Sequence, residues 1–153
     1  MTIELTNESK HSVNEARLMA VARAAMVAMN IDPEAELSIA VVDNDVMEKL
    51  HVDWMDLPGP TDVLSFPMDE LEPGKPGEPP VTGMLGDIVI APEFATTQAL
   101  EAGREPQAEL DLLMVHGVLH LLGFDHEEPE EHKVMFDLQV EILTAFESTG
   151  SPS

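Results

Sequence analysis

The sequence predicts an α+β fold: one domain with a small mixed sheet of about four strands packed by about five helices. Three observations carry this. The chain has 153 residues, of which 44% are hydrophobic, enough for one ordinary core. Short runs rich in Ile and Val are bounded by turn residues and read as strands. Longer stretches with helical periodicity separate those runs in an irregular order, unlike a regular βαβ repeat.

Residues 2–6 form the first expected strand. Ser12 to Asn30 reads as a helix, with Ser12 and Glu15 as a capping box and Val13, Ala16, Met19, Ala20 and Val27 on one stripe. Asp32-Pro33 breaks it. Leu37 to Val42 is a buried strand that ends in Asp43-Asn44-Asp45, and Asp45 to Trp54 a second helix stopped by Pro58-Gly59-Pro60. Thr61 to Phe66 alternates as a strand does. The Pro- and Gly-rich stretch 67–83 is expected to be a mobile loop.

Asp87 to Ala91 is another buried strand. Pro92 opens a helix to about Ala102, and Pro106 opens one that runs to Gly123. Pro129 to Glu147 is the last helix. The domain is thus expected to span 1–148, with 149–153 a disordered tail. The ten methionines, including Met19, Met26 and Met29 on one helix, are expected core filling.

Thirty Asp and Glu against seven Lys and Arg give a net charge of −23. Such a field repels polyanions and argues against unaided nucleic-acid binding. The acidic run of Glu127, Glu128, Glu130 and Glu131 reads as a solvated helix face. No cysteine occurs, which excludes disulfides, thiolate ligands and a cysteine nucleophile. The N-terminus has no basic segment leading into an apolar run, and no stretch nears the about 20 apolar residues needed to span a bilayer. A cytoplasmic protein with no membrane association is expected.

The chemistry concentrates in H-G-V-L-H-L-L-G-F-D-H, residues 116–126. Residues four apart share a helix face, so His116 and His120 present two imidazoles to one point. Gly123 permits the left-handed turn that ends a helix, and His126 can then return to the same point. Three neutral nitrogen ligands leave a fourth tetrahedral position for water, as in a catalytic zinc site; nickel and cobalt also suit imidazoles. Asp125 is the candidate carboxylate to orient a ligating ring. Equally, it serves as a turn residue bonding its own backbone.

The spacing equals that of the long zinc-protease motif, except that the general-base glutamate is replaced by Gly117. The protease mechanism thereby loses its proton acceptor. A glycine within a helix costs about 1 kcal/mol relative to alanine, which points to a use for open space beside the metal. Thr61 and Ser65 are candidate substrate contacts, with hydroxyls satisfying strand ends as the plainer alternative. Asp87 is similarly ambiguous. His11, His51 and His132 have no partner at ligand spacing in the sequence.

These residues, with T-D-V-L-S-F-P (61–67) and L-G-D-I-V-I (85–90), resemble the YbeY endoribonuclease family over nearly the whole chain. The resemblance implies an α+β fold and zinc held by His116, His120 and His126. It further implies single-strand-specific RNA cleavage in maturation of the 16S ribosomal RNA 3′ end and in late ribosome quality control. Many relatives carry an arginine where this chain has Met55, so the cationic role is lost or passes to Lys49, Lys75 or Arg104. With this acidity, the RNA is expected to be delivered by a ribosomal protein or an assembly GTPase. Two alternatives stand beside the nuclease: an assembly factor with a structural metal and little turnover, and a metallopeptidase-like hydrolase weakened by Gly117.

Overall fold

The computed structural model describes residues 3–55, 61–124 and 128–148, and every structural statement below refers to them. Four strands and five helices follow in the order β1 (Ile3–Asn7), α1 (Glu15–Ala28), β2 (Glu36–Val41), α2 (Asn44–Met55), β3 (Val63–Pro67), β4 (Met84–Ile90), α3 (Pro92–Glu101), α4 (Pro106–Leu121) and α5 (Pro129–Ser148). The single α+β domain and its element count agree with the sequence reading. The expected stop at Pro58-Gly59-Pro60 and the tail 149–153 lie outside the described residues.

The sheet runs β1-β2-β4-β3. β1 and β4 flank β2 in parallel, with Ile3 opposite Leu37 and Ile39 opposite Ile88, whereas β3 is antiparallel to β4 with Ser65 opposite Ile88. Alternate side chains on each strand face opposite ways. Leu37, Ile39, Val41, Ile88 and Ile90 join the main core with α1, α4 and α5. Leu64 and Val89 join a smaller core with Met47 of α2. Among the described residues, no helix is long and apolar enough to cross a membrane.

Helix α1 departs from its expected start and face. Asn14, not Ser12, is the cap, its side chain accepting from the Arg17 backbone N–H at 3.1 Å. Residues 7–11 are held in a turn before it, where the Asn7 side chain bonds Ser9 and the His11 carbonyl. The buried stripe is Leu18, Val21, Ala22, Ala25 and Met26, while Ala16 and Val27 lie exposed. The helix is apolar almost all round, so periodicity alone picks no single face. Burying the larger Leu18, Val21 and Met26 at about 1.5–3 kcal/mol each decides it. Met26 is buried and Met19 and Met29 pack partly against the core, as expected of gap fillers, whereas Met68 and Met84 are exposed, against that expectation.

The 68–83 loop is tied to the end of α1. Asn30 takes a left-handed φ of 54°, and its side chain donates to the carbonyls of Lys75 and Glu78. The Gly74 N–H bonds the Met29 carbonyl, and Val81 pairs with Ile31. These bonds fix a stretch whose Pro and Gly content alone reads as unordered.

Candidate metal centre

Helix α4 crosses the sheet centrally, packed against α1, α3, α5, β3 and β4. It buries Leu110, Leu113, Met114, Val115, Val118, Leu119 and Leu121, and also the acids Glu109 and Asp111. Arg17 satisfies Asp111 with Nη2 at 2.7 Å and Nε at 3.0 Å, and Gln107 adds a third donor. That hydrogen bond raises the Arg17 guanidinium above its ordinary value, against the opposing effect of burial. Glu109 accepts from Gln98 at 2.7 Å and pairs with Arg104 at 2.9 Å. Both buried acids thus brace the helix that carries the histidines.

The end of α4 is a Schellman turn. Gly123 has φ +94°, its N–H bonds the His120 carbonyl, and the Phe124 N–H reaches back to the Leu119 carbonyl. Phe124 packs against the main core, which completes the motif. The helix proper ends at Leu121, two residues before the Gly123 to which the sequence reading carries it, and His120 lies in its last turn. A second glycine makes the adjoining contact possible: at Gly86 (φ +140°) a Cβ would collide with the Phe66 carbonyl oxygen and lie 3.0 Å from Leu121. Leu121 thereby seats the helix end over β3 and β4.

His116 and His120 come together as expected, their rings 4.6 Å apart and crossed at 75°. His116 Nδ1 lies 2.7 Å from Oε1 of Gln139, a buried residue of α5. An amide oxygen can only accept, so Nδ1 carries the proton and the neutral ring's lone pair is on Nε2. That is the tautomer a nitrogen ligand needs, held by the kind of outer partner that ligating histidines use. Sequence reasoning missed Gln139. The signal was its place in the stripe Met135, Gln139, Ile142 and Phe146, all buried, where it alone is polar.

The pair borders two hollows. One is lined by His116, His132, Met135, Phe136 and Gln139, with His132 stacked on Phe136. The other lies between His120 and the loop residues Glu70, Leu71, Glu72 and Pro73. Glu70 takes a positive φ of 52° there, uncommon for a residue with a side chain. His126 and Asp125, the expected third ligand and its neighbour, lie outside the described residues.

Gly117 does not border open space. A Cβ there would meet Ile88 of β4 at 3.1 to 3.4 Å, so the glycine lets helix and sheet approach closely. The expectation of a useful gap beside the metal is corrected: the room is filled by Ile88. Ser65 Oγ donates to the Gly117 carbonyl at 3.2 Å, which ties β3 to the helix one residue from His116. Thr61 lies just before β3, whose first residue Val63 pairs with Ile90, and is thus far along the strand from Pro67 beside His120. Its hydroxyl is 3.4 Å from Asp62. Asp87 lies with Glu4, Glu36 and Ser38 in a separate hollow.

Among the described residues, four basic side chains pair with acids: Arg17 with Asp111, Lys49 with Asp53, Arg104 with Glu109 and Lys133 with Asp137. Two of the three expected substitutes for a substrate-binding arginine, Lys49 and Arg104, are in this group. The side chain at Met55 lies outside what is described.

Comparison with known proteins gives a consistent result. The family model described as Endoribonuclease YbeY matches residues 4–147. A protein of that name from Nocardia farcinica is 59% identical over 145 residues, covering 94% of this chain and 79% of its own length. One from Thermobifida fusca is 53% identical, covering 95% and 94%, and one from an Arthrobacter species 54%, covering 100% and 98%. A Thermotoga maritima protein solved in solution shares the fold with a TM-score of 0.61 at 23% identity, over 97% of this chain and 93% of its own.

Proposed function

The chain belongs to the YbeY endoribonuclease family, and on that premise we propose that it is an RNA-cleaving hydrolase whose His116, His120 and His126 hold one divalent metal ion. Zinc is the ion the donor set favours, and nickel or cobalt would also be accepted by three imidazoles. The observation that carries this reading is the His116–Gln139 hydrogen bond beside the crossed ring of His120. It supports ligation because it fixes the proton on Nδ1, away from Nε2. Bound there, the ion would supply Lewis-acid polarisation of a phosphodiester and activation of water.

The chain's own residues do the positioning. Ser65 and Ile88 hold the α4 backbone at Gly117, Gln139 orients His116, and Gly123 turns the chain out of the helix three residues before His126. Asp125 is the proposed polar neighbour of that third ring. Gly117 is buried against the sheet, so proton transfer does not use its position. That weighs against a metallopeptidase. Glu70 and Glu72 are the acidic residues lining the hollow beside His120.

The proposed substrate is single-stranded ribosomal RNA, in 16S 3′-end maturation and late ribosome quality control in the cytoplasm. With a charge of −23 and, among the described residues, four cations engaged by acids, free RNA would be attracted poorly. A ribosomal protein or assembly GTPase is therefore proposed to deliver it. The same acidity favours a second reading, an assembly factor in which the metal is structural and turnover low. The test compares cleavage of small-subunit precursor RNA, naked and in particles, after chelation and after zinc is restored. Zinc-restored cleavage confined to particles is expected. Equal rates on naked RNA would remove the partner, and particle binding without cleavage would favour the assembly factor.

A further inference from the structure

The three parallel strands β1, β2 and β4 end on the same side of the sheet, and each is followed by a potential metal ligand. His11 follows β1, Asp43 follows β2, and Glu93 follows β4 in the first turn of α3. One ligand atom from each lies within 4.8 Å of the other two. Sequence spacing gives His11 no partner; strand order supplies two.

This cluster is remote from the histidine helix site along the sheet. Near the start of α4, Glu109 reaches Gln98 of α3, beyond the carboxyl end of β4. At its finish, Leu121 lies over Gly86, near the amino end of β4. His120 therefore stands at one end of β4 and Glu93 just past the other.

Each carboxylate has a local explanation, since Asp43 directly precedes α2 and Glu93 lies in the first turn of α3, where anions are favoured. Those explanations do not call for an imidazole brought beside both from a third loop. The loop is also anchored to Asp43 itself, whose Oδ1 accepts the Lys10 backbone N–H at 3.1 Å while Oδ2 remains for another partner. We propose that His11, Asp43 and Glu93 form a second divalent-metal site that clips together the loops after β1, β2 and β4.

One nitrogen and two carboxylate donors suit a first-row divalent ion rather than calcium or magnesium, which prefer all-oxygen shells. The two carboxylates balance the ion's charge, and the surplus of acid over the molecule draws cations towards it. Ligands bound at about 2.0–2.2 Å from zinc stand closer together than atoms spread over 4.8 Å. His11 and Glu93 are exposed and close that gap by side-chain rotation.

The test is independent of the reading proposed for His116. Zinc alone is titrated into the His116→Ala/His120→Ala protein, with stoichiometry from calorimetry and the His11 ring followed by NMR. One zinc per chain and a shifted His11 ring are expected. Adding Asp43→Asn or Glu93→Gln should weaken binding at least by the about tenfold typical of losing even an outer partner. No saturable binding, or binding unchanged by His11→Ala, overturns the site. Should the double variant unfold, zinc is counted in the otherwise native protein: two per chain falling to one with His11→Ala supports the proposal. One per chain, unaffected by His11→Ala, overturns it and leaves the His116 site standing.

Discussion

His116 Nδ1 stands 2.7 Å from Gln139 Oε1, so a residue of α5 sets the tautomer of a ring on α4. The two helices come from separate segments, and between them lies the stretch bearing Asp125 and His126. Gln139 thus orients the His116 ring. Replacing it with Leu preserves volume but strands the His116 N–H, a cost of about 1–3 kcal/mol. Zinc affinity should fall about 10–100-fold, as for other outer partners of ligating histidines. Gln139→Glu keeps an acceptor and should retain affinity. Zinc titration of the three proteins checks this, and unchanged affinity in Gln139→Leu would remove Gln139 from the site.

Gly117→Glu restores the protease signature in sequence but not in space. Its side chain would be driven into Ile88 of the sheet. We expect a loss of about 3 kcal/mol or more from overpacking and a buried carboxylate. No peptidase activity should appear. Denaturant unfolding and a peptide-cleavage assay read the two outcomes.

Gly123→Ala places a Cβ at φ +94°, which strains the Schellman turn by about 1–2 kcal/mol. The path to His126 starts at that turn, so zinc affinity should fall along with stability. Thermal unfolding with and without zinc separates the two: a stability loss with wild-type affinity would mean that the turn does not position the third ligand.

Arg17→Met strands the buried Asp111 and should cost about 3 kcal/mol. The Arg17 guanidinium also lies 5.5 Å from the centre of the Phe146 ring, so the loss loosens α5 as well as α4. Arg17→Met/Asp111→Leu should recover more than half. The folded-state pKa of Arg17 is raised, so its contribution is complete below the unfolded value and is lost only as pH rises through the folded one. The deficit of Arg17→Met should therefore be flat between about pH 6 and 9, far below an arginine's range. Urea titrations across that span check it.

Much of this was legible because it is local. The strands announce themselves by Ile and Val runs, the ends of α3 and α4 by Pro and Gly, and the histidine pair by its spacing of four. What stayed hidden depends on tertiary packing. The buried face of α1 could not be read from a helix apolar on most sides. Gln139 is polar among core residues, but only the packing of α5 on α4 shows which ring it serves. Nothing local marks Glu109 and Asp111 as buried; their partners Gln98 and Arg17 come from α3 and α1. Gly117 looked like space because its contact, Ile88, comes from β4, 29 residues earlier in the chain.

On the proposed reading, the histidines of α4 hold a metal required for RNA cleavage. The most direct measurement is processing of precursor ribosomal RNA in small-subunit particles by wild type and His116→Ala, with the metal content of both determined. His116→Ala is expected to lose the metal of this site and leave the precursor uncut. Equal processing by a His116→Ala protein shown to be metal-free would contradict it.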